Sequence, residues 1–153
     1  MPASQAAVWR TPTEKDLSSS ISASEIESYR TACADEEQGD PISNLLTRGT
    51  DHVRGYLRAN SKIQMGPKGT LPESLIAPCM DFIAYDVVKR VPRGNTEDRR
   101  SARRDAVTLF GRVQTGAFDV ESYGQPETQG DKVSSQLASS SRRRFTAETM
   151  DGL

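Results

Sequence analysis

The sequence predicts an all-α fold: a small bundle of four to five helices with an N-terminal arm and an extended C-terminal tail. Apolar residues recur at helical spacing, cap residues stand where helices would begin, and the composition changes after residue 123. Hydrophobic residues make up only 35% of the 153 residues and charged residues 27%, so part of the chain lies outside the core. We therefore divide the chain into an arm over 1–12, a helical domain over 13–123 and a Ser-rich tail over 124–153.

The first two helices are short and are identified mainly by their caps. Thr13 has Asp16 three residues later, the spacing of a capping box, and a helix over 14–19 is expected to follow. Either Ser22 or Ser24 can cap the second helix. The apolar side of that helix is formed by Ile26, Tyr29 and Cys33, with the stem of Arg30 at its edge.

The third helix has the clearest pattern. It follows an acidic stretch over 35–40, with Asp40 as N-cap and Pro41 in the first turn. Its apolar side matches the amphipathic template almost without exception and consists of Ile42, Leu45, Leu46, Gly49, Val53, Tyr56 and Leu57. A glycine on this side costs roughly 1 kcal/mol of helix propensity. We therefore expect another helix to approach closely at Gly49.

The fourth helix is the most apolar segment and is expected to lie at the centre of the domain. It follows a Gly- and Pro-containing loop over 60–71 and is opened by Pro72. Pro78, about two turns in, is expected to kink the helix or to mark its true start. The apolar side is formed by Leu75, Ile76, Cys79, Met80, Ile83, Val87 and Val91.

The fifth helix is basic and amphipathic. Asn95 or Thr96 caps it, and it is expected to run to about Thr115, with Gly116 ending it. Its apolar side carries Ala102, Ala106, Leu109, Phe110 and Val113. Largely opposite lies a cluster of four arginines: Arg99, Arg100, Arg103 and Arg104.

Charge is balanced over the whole chain but not along it. The formal net charge is −1, yet residues 1–40 hold eight acidic and three basic side chains, whereas residues 89–112 hold eight basic and three acidic ones. These opposite charges can pair within the chain, pair between copies in a head-to-tail ring, or face separate partners.

No residue set predicts catalysis, a cofactor or a metal site. His52 is the single histidine, and it lies next to Asp51 and off the apolar side, as a surface histidine does. Cys33 and Cys79 fall on apolar sides, where cysteine packs as a small hydrophobic residue. The loop over 66–70 lacks the spacer and the preceding strand of a phosphate-binding loop. We therefore expect a protein that is not an enzyme and needs no cofactor.

Several blocks of packing residues follow one another in a definite order. They read TPTEKDL ahead of the second helix, GYL near the end of the third, LPESL and IAPCMDFIAYDVVKR in the fourth, RRSARRDAVTLFGRVQTGAFDV in the fifth, and RRRFTAETMDGL at the end of the tail. In this order the blocks resemble the Mu-like prophage protein family and the wider group of tailed-phage head–tail connector (adaptor) proteins. The resemblance covers about residues 10–123 and the segment from Arg142. The chain departs from it at Pro78 and in the acidic insert around 35–40.

The resemblance implies a virion protein without enzymatic activity. Such adaptors assemble into a ring, usually of twelve copies, that docks beneath the portal protein and is followed by a stopper or tail-completion protein. Genome DNA passes through the lumen without sequence-specific contact. The protein would be made in the host cytoplasm and reside at the head–tail junction, with no membrane partner; no apolar run in the sequence is long enough to span a membrane, and no signal-peptide pattern opens it.

Two groups of residues are candidates for contacts in such an assembly. The isolated aromatic and basic segment in the tail is the candidate partner-docking site and consists of Arg142, Arg143, Arg144 and Phe145. The arginine cluster of the fifth helix is the candidate ring-contact or DNA-facing site and consists of Arg99, Arg100, Arg103 and Arg104.

An alternative function belongs to a different class: a small cytoplasmic regulator that binds nucleic acid through the Arg-rich helix over 96–115. Four arginines on one side of a helix can contact phosphates. Few aromatic residues are interleaved with them for base stacking, and the net charge is −1. A solvated face, or pairing with acidic residues of a neighbour, is the plainer interpretation of the cluster.

Overall fold

In the computed structural model, residues 9–35, 39–91 and 96–124 are described, and they form five helices and a two-stranded sheet. The elements in chain order are β1 (Trp9–Arg10), α1 (Glu14–Leu17), α2 (Ala23–Ala32), α3 (Pro41–Ala59), β2 (Leu71–Pro72), α4 (Glu73–Arg90) and α5 (Glu97–Thr115). Except for Gly124, the predicted tail lies outside the described residues, and so does the candidate docking segment 142–145.

The prediction of an all-α fold holds only in part. The described residues are mostly helical, but β1 pairs with β2 in antiparallel register, with Trp9 opposite Pro72 and Arg10 opposite Leu71. Strands of two residues are too short to show an alternating apolar pattern, so this sheet could not be predicted from the sequence.

The structure also corrects the boundary of the N-terminal arm, which was predicted over 1–12. Trp9 is only 6% exposed and belongs to the hydrophobic core, and Pro12 is buried as well. Residues 9–12 are therefore part of the folded domain, whereas residues 1–8 lie outside the described part of the chain.

The helix ends follow the cap residues that the sequence predicts. At α1, the Asp16 carboxylate accepts the backbone N–H of Thr13 at 2.8 Å, and at α2 the same arrangement joins Glu25 to Ser22 at 2.9 Å. Of the alternatives for α2, Ser22 and not Ser24 is the N-cap. The caps at the remaining ends are Asp40 for α3, Thr96 for the start of α5 and Gly116, with φ +79°, for its end.

Helix α4 lies at the centre of the domain, as predicted, because it contacts each of the other four helices. Its fully buried residues include Leu75, Met80, Ile83, Val87 and Val88. The helix is one segment from Glu73 to Arg90 that includes Pro78, so Pro78 does not mark its start. Pro72 is its N-cap residue.

Gly49 is the point of close approach between α3 and α4 that the sequence predicts. A Cβ atom at this position would overlap the side chain of Ile83, which is fully buried. The interhelical contact therefore requires the absence of a side chain at residue 49.

Replacing Gly49 by alanine is expected to lower the free energy of unfolding by about 1–2 kcal/mol, since the cost of overpacking exceeds the gain in helix propensity. Gly55→Ala is the matched control on the same helix, because no heavy atom lies within 4 Å of its Cβ position. That variant is expected to gain up to about 1 kcal/mol. Urea denaturation measures both, and equal stabilisation by the two substitutions would show that α3 and α4 are not in close contact at Gly49.

Candidate interaction surface

Arg99 joins the fifth helix to the second. Its guanidinium donates to both carboxylate oxygens of Glu25 on α2, with Nη1–Oε1 at 2.6 Å and Nη2–Oε2 at 2.9 Å. Both side chains are mostly buried by their surroundings. A bidentate pair of this kind is directional and stronger than a single ion pair, so Arg99 has a structural role between α2 and α5.

Arg103 lies over the fourth helix. Its Nη1 is 3.1 Å from Oδ1 of Asp86, and its guanidinium carbon stands 4.8 Å from the ring centroid of Phe82 and 4.6 Å from that of Tyr85. These contacts combine an ion pair with cation–π interactions. Arg103 is therefore partly covered by α4.

Arg100 and Arg104 are the outward members of the cluster. Both contact one carboxylate, that of Glu97, at 3.6 Å and 2.9 Å respectively. Their side chains are 52% and 70% exposed. Each of the four arginines thus has an acidic partner within the chain, which is one of the three possibilities that the charge distribution left open.

A groove runs between α4 and α5 beside these arginines. We call it the basic groove; it is lined by Tyr85, Lys89, Glu97, Arg100, Arg103 and Arg104. Lys89 is exposed at its edge. The arginines keep their contacts to Glu97 and Asp86 there, and the groove has more cationic than anionic side chains.

Arg30 on α2 shows the reverse of the basic groove, because several carboxylates surround one arginine. Three carboxylates contact its guanidinium: Glu14 at 2.6 Å, Glu27 at 2.7 Å and Asp40 at 3.0 Å. We call these four residues the acidic cluster. The sequence indicated an acidic region over 1–40 but not that α1, α2 and the start of α3 would bring three of its carboxylates to one arginine.

The pKa values of several carboxyl groups are lowered by these arginines. Hydrogen bonds from Arg99 lower the pKa of Glu25 from 4.5 to about 2. Arg30 does the same to Asp40, whose pKa falls to about 2. In each case the folded protein favours the ionised carboxylate.

Acidification should therefore destabilise the protein, and Glu25 should contribute to this loss. Its folded pKa lies below its unfolded pKa, so its contribution is present above about pH 4.5 and is lost as the pH falls towards about 2. We expect Glu25→Gln to be less stable than wild type at pH 7 and to lose less further stability between about pH 5 and pH 2. Urea midpoints measured across this pH range test this; parallel curves for the two proteins would contradict it.

The residues considered for catalysis or metal binding do not come together. His52 is exposed and stacks on Phe82, with ring centroids 5.0 Å apart. Cys33 and Cys79 are buried and unbridged, and burial raises the pKa of the Cys79 thiol to about 12. No group of three potential metal-ligating side chains occurs in residues 9–35, 39–91 and 96–124.

The two ends of the described domain meet at Trp9. The indole N–H donates to the carbonyl oxygen of Glu121 at 2.8 Å, and Tyr123 lies edge-on to the indole with centroids 6.4 Å apart. Gly66 packs directly against the ring. We call this region, defined by Trp9, Gly66, Glu121 and Tyr123, the Trp9 pole. Trp9 is the first described residue, and Tyr123 is next to Gly124, the last one.

Arg54 on α3 stabilises the Trp9 pole. The sequence did not predict a role for this residue. It is 6% exposed and lies on α3, where it donates to the carbonyl oxygens of Thr70 at 2.6 Å and Gly66 at 3.1 Å. Its guanidinium carbon is 5.9 Å from the Trp9 ring centroid. The sequence feature that could have indicated this role is the position of Arg54 next to Val53, a residue of the apolar side of α3.

Comparison of the chain with family models, with curated proteins and with solved structures finds no match. None of the helices in the described ranges could span a membrane.

Proposed function

We propose that the protein is a structural head–tail connector, an adaptor that forms a ring on the portal and joins the DNA-filled capsid to the tail. The observation that supports this most directly is the order of packing blocks from about residue 10 to residue 123, which resembles that of tailed-phage adaptors. The ring, of about twelve copies by the same resemblance, would bind a stopper or tail-completion protein on its other side. Genome DNA would cross its lumen.

The Trp9 pole suits such a role. Because Trp9 and Tyr123 are in contact, residues near the two limits of the described domain lie side by side. Two segments attached side by side can engage one neighbour together, and the second contact then forms at a high effective concentration. The docking residues Arg142, Arg143, Arg144 and Phe145 belong to the longer of these segments.

Removing residues 142–153 is expected to leave the domain folded but to impair docking to the capsid, because the deletion takes away the basic and aromatic side chains proposed to bind the portal. The measurement is negative-stain imaging of purified heads after incubation with the protein, with far-UV circular dichroism as the check on folding.

A deletion of residues 147–153 is the matched control, since it shortens the tail but keeps Arg142–Arg144 and Phe145. Heads should bind this control as they bind the full chain. Equal occupancy by the 142–153 deletion would remove the docking role of the tail. Mature particles that lack the protein altogether would remove the connector function itself.

A further inference from the structure

We propose that the basic groove of one copy binds the acidic cluster of a second copy, so that copies of the chain join head to tail. This contact would be the ring contact of the proposed connector and rests on that function for its biological setting. The residues that would meet are Lys89, Arg100 and Arg104 on one copy and Glu14 and Glu27 on the next.

Charge complementarity is the first argument. In the basic groove, the four cationic side chains Lys89, Arg100, Arg103 and Arg104 face two carboxylates, those of Glu97 and Asp86. In the acidic cluster, the three carboxylates of Glu14, Glu27 and Asp40 face the one guanidinium of Arg30. Among these residues the groove has an excess of two positive charges and the cluster an excess of two negative charges. The two surfaces therefore carry opposite charges of equal size, which makes them complementary.

Accessibility is the second argument. Arg104 and Glu27, the outermost members of the two surfaces, have side chains 70% and 69% exposed. A partner can approach either of them without first breaking a buried contact. The bidentate pair of Arg99 and Glu25, by comparison, is mostly covered and remains a link within the chain.

The geometry of α2 is the third argument, and it favours a contact between copies. Glu25 on α2 faces α5 through its pair with Arg99. Glu27 follows two residues later, which is about 200° around the helix, and pairs with Arg30. The acidic cluster thus lies on a different side of α2 from the Glu25–Arg99 link to α5.

A contact between two different surfaces of identical copies is heterologous, so it closes into a ring or extends into a filament. Each exposed ion pair contributes little by itself and is screened by salt. The single contact should consequently be weak and strongly salt-dependent, and a ring would gain stability because many such contacts act together.

The test is charge reversal in the full chain, with self-association followed by sedimentation velocity at about 0.05 M and about 1 M salt. We expect the wild-type chain to associate at low salt and to dissociate at high salt. Arg100→Glu with Arg104→Glu should weaken association at least tenfold, and so should Glu14→Lys with Glu27→Lys. The chain carrying all four substitutions should associate again, because the reversed surfaces are once more complementary.

Two further variants keep this test interpretable. Arg58→Glu with Arg112→Glu reverses two exposed arginines outside the groove and should not change self-association. Glu27→Lys alone keeps the Glu14 and Asp40 contacts to Arg30, so it reports on the acidic cluster if the double variant fails to fold.

Several results would overturn the contact. If the wild-type chain stays monomeric at about 1 mM and low salt, its affinity for a second copy is too weak to support the proposed contact. Association that is insensitive to the groove substitutions, or a four-substitution chain that remains monomeric, would place any self-contact elsewhere. Salt-dependent binding of duplex DNA that needs Arg100 and Arg104 while self-association does not would assign the groove to nucleic acid. If the variants still occupy the head–tail junction of particles normally, the connector function survives and only this contact is lost.

Discussion

Replacing Trp9 by alanine is expected to lower the free energy of unfolding by about 3–5 kcal/mol, the usual cost of removing a large buried aromatic side chain. Trp9 is nearly fully buried and packs against Gly66 and the edge of Tyr123. Its indole N–H also donates to the carbonyl oxygen of Glu121, 112 residues away along the chain. The substitution removes both the packing and this hydrogen bond, so it loosens the joint between the two ends of the domain.

Urea denaturation followed by far-UV circular dichroism measures this loss. Tyr123→Ala is the comparison within the same contact. This residue is 39% exposed, so the substitution should lower the free energy of unfolding by about 1 kcal/mol or less. Trp9→Phe keeps an aromatic ring but not the N–H donor, and an intermediate loss is expected. If Trp9→Ala were as stable as the wild-type protein, residues 9–12 would belong to an arm, as the sequence predicted, and not to the domain.

The contact between Trp9 and Tyr123 also bears on the proposed docking to the capsid. If the segments over 1–8 and 125–153 act on one neighbour, they do so because Trp9 holds their attachment points together. Trp9→Ala at a temperature where the domain is still folded should therefore weaken docking to heads more than Gly49→Ala does, even though both substitutions destabilise the protein.

The helices could be predicted because their signals are local. The adjacent residues Asp40 and Pro41 predict the start of α3. Gly116, which adopts the left-handed conformation, marks the end of α5. Gly49 was informative because a glycine on a buried stripe has few reasons to be there other than a close contact, here with Ile83. These features depend on residues within a few positions of one another or on the helical repeat.

The features that could not be predicted from the sequence depend on contacts between residues that are far apart along the chain. Glu25 and Arg99 are 74 residues apart, and nothing near either residue shows which opposite charge it will meet. The cluster of four arginines was visible, but not that Arg103 would lie on Phe82 and Tyr85 while Arg100 and Arg104 share Glu97. An acidic or basic stretch of sequence predicts the sign of the charge on a surface. Which residues pair with that charge depends on how the helices pack.

The second large effect is expected at Arg54. Arg54→Ala should lower the free energy of unfolding by about 2–4 kcal/mol, because the carbonyl oxygens of Gly66 and Thr70 lose a charged donor that water cannot easily replace. Burial lowers the pKa of Arg54, which means that the fold already meets a cost of keeping this charge away from water. The two hydrogen bonds and the contact with Trp9 offset that cost. Arg58→Ala, at an exposed residue one turn later on α3, should change stability by less than about 0.5 kcal/mol.

Two further substitutions separate the parts of the Arg54 effect. Arg54→Met keeps most of the apolar stem but no donor, so a loss close to that of Arg54→Ala would assign the effect to the hydrogen bonds, and a small loss would assign it to packing. Combining Arg54→Ala with Trp9→Ala tests whether the two residues act as one unit. Because their side chains are in contact, the double variant should lose less stability than the sum of the two single losses, by about 0.5–3 kcal/mol. Strictly additive losses would mean that Arg54 holds the loop over 60–71 independently of Trp9, and the Trp9 pole would then be two separate contacts.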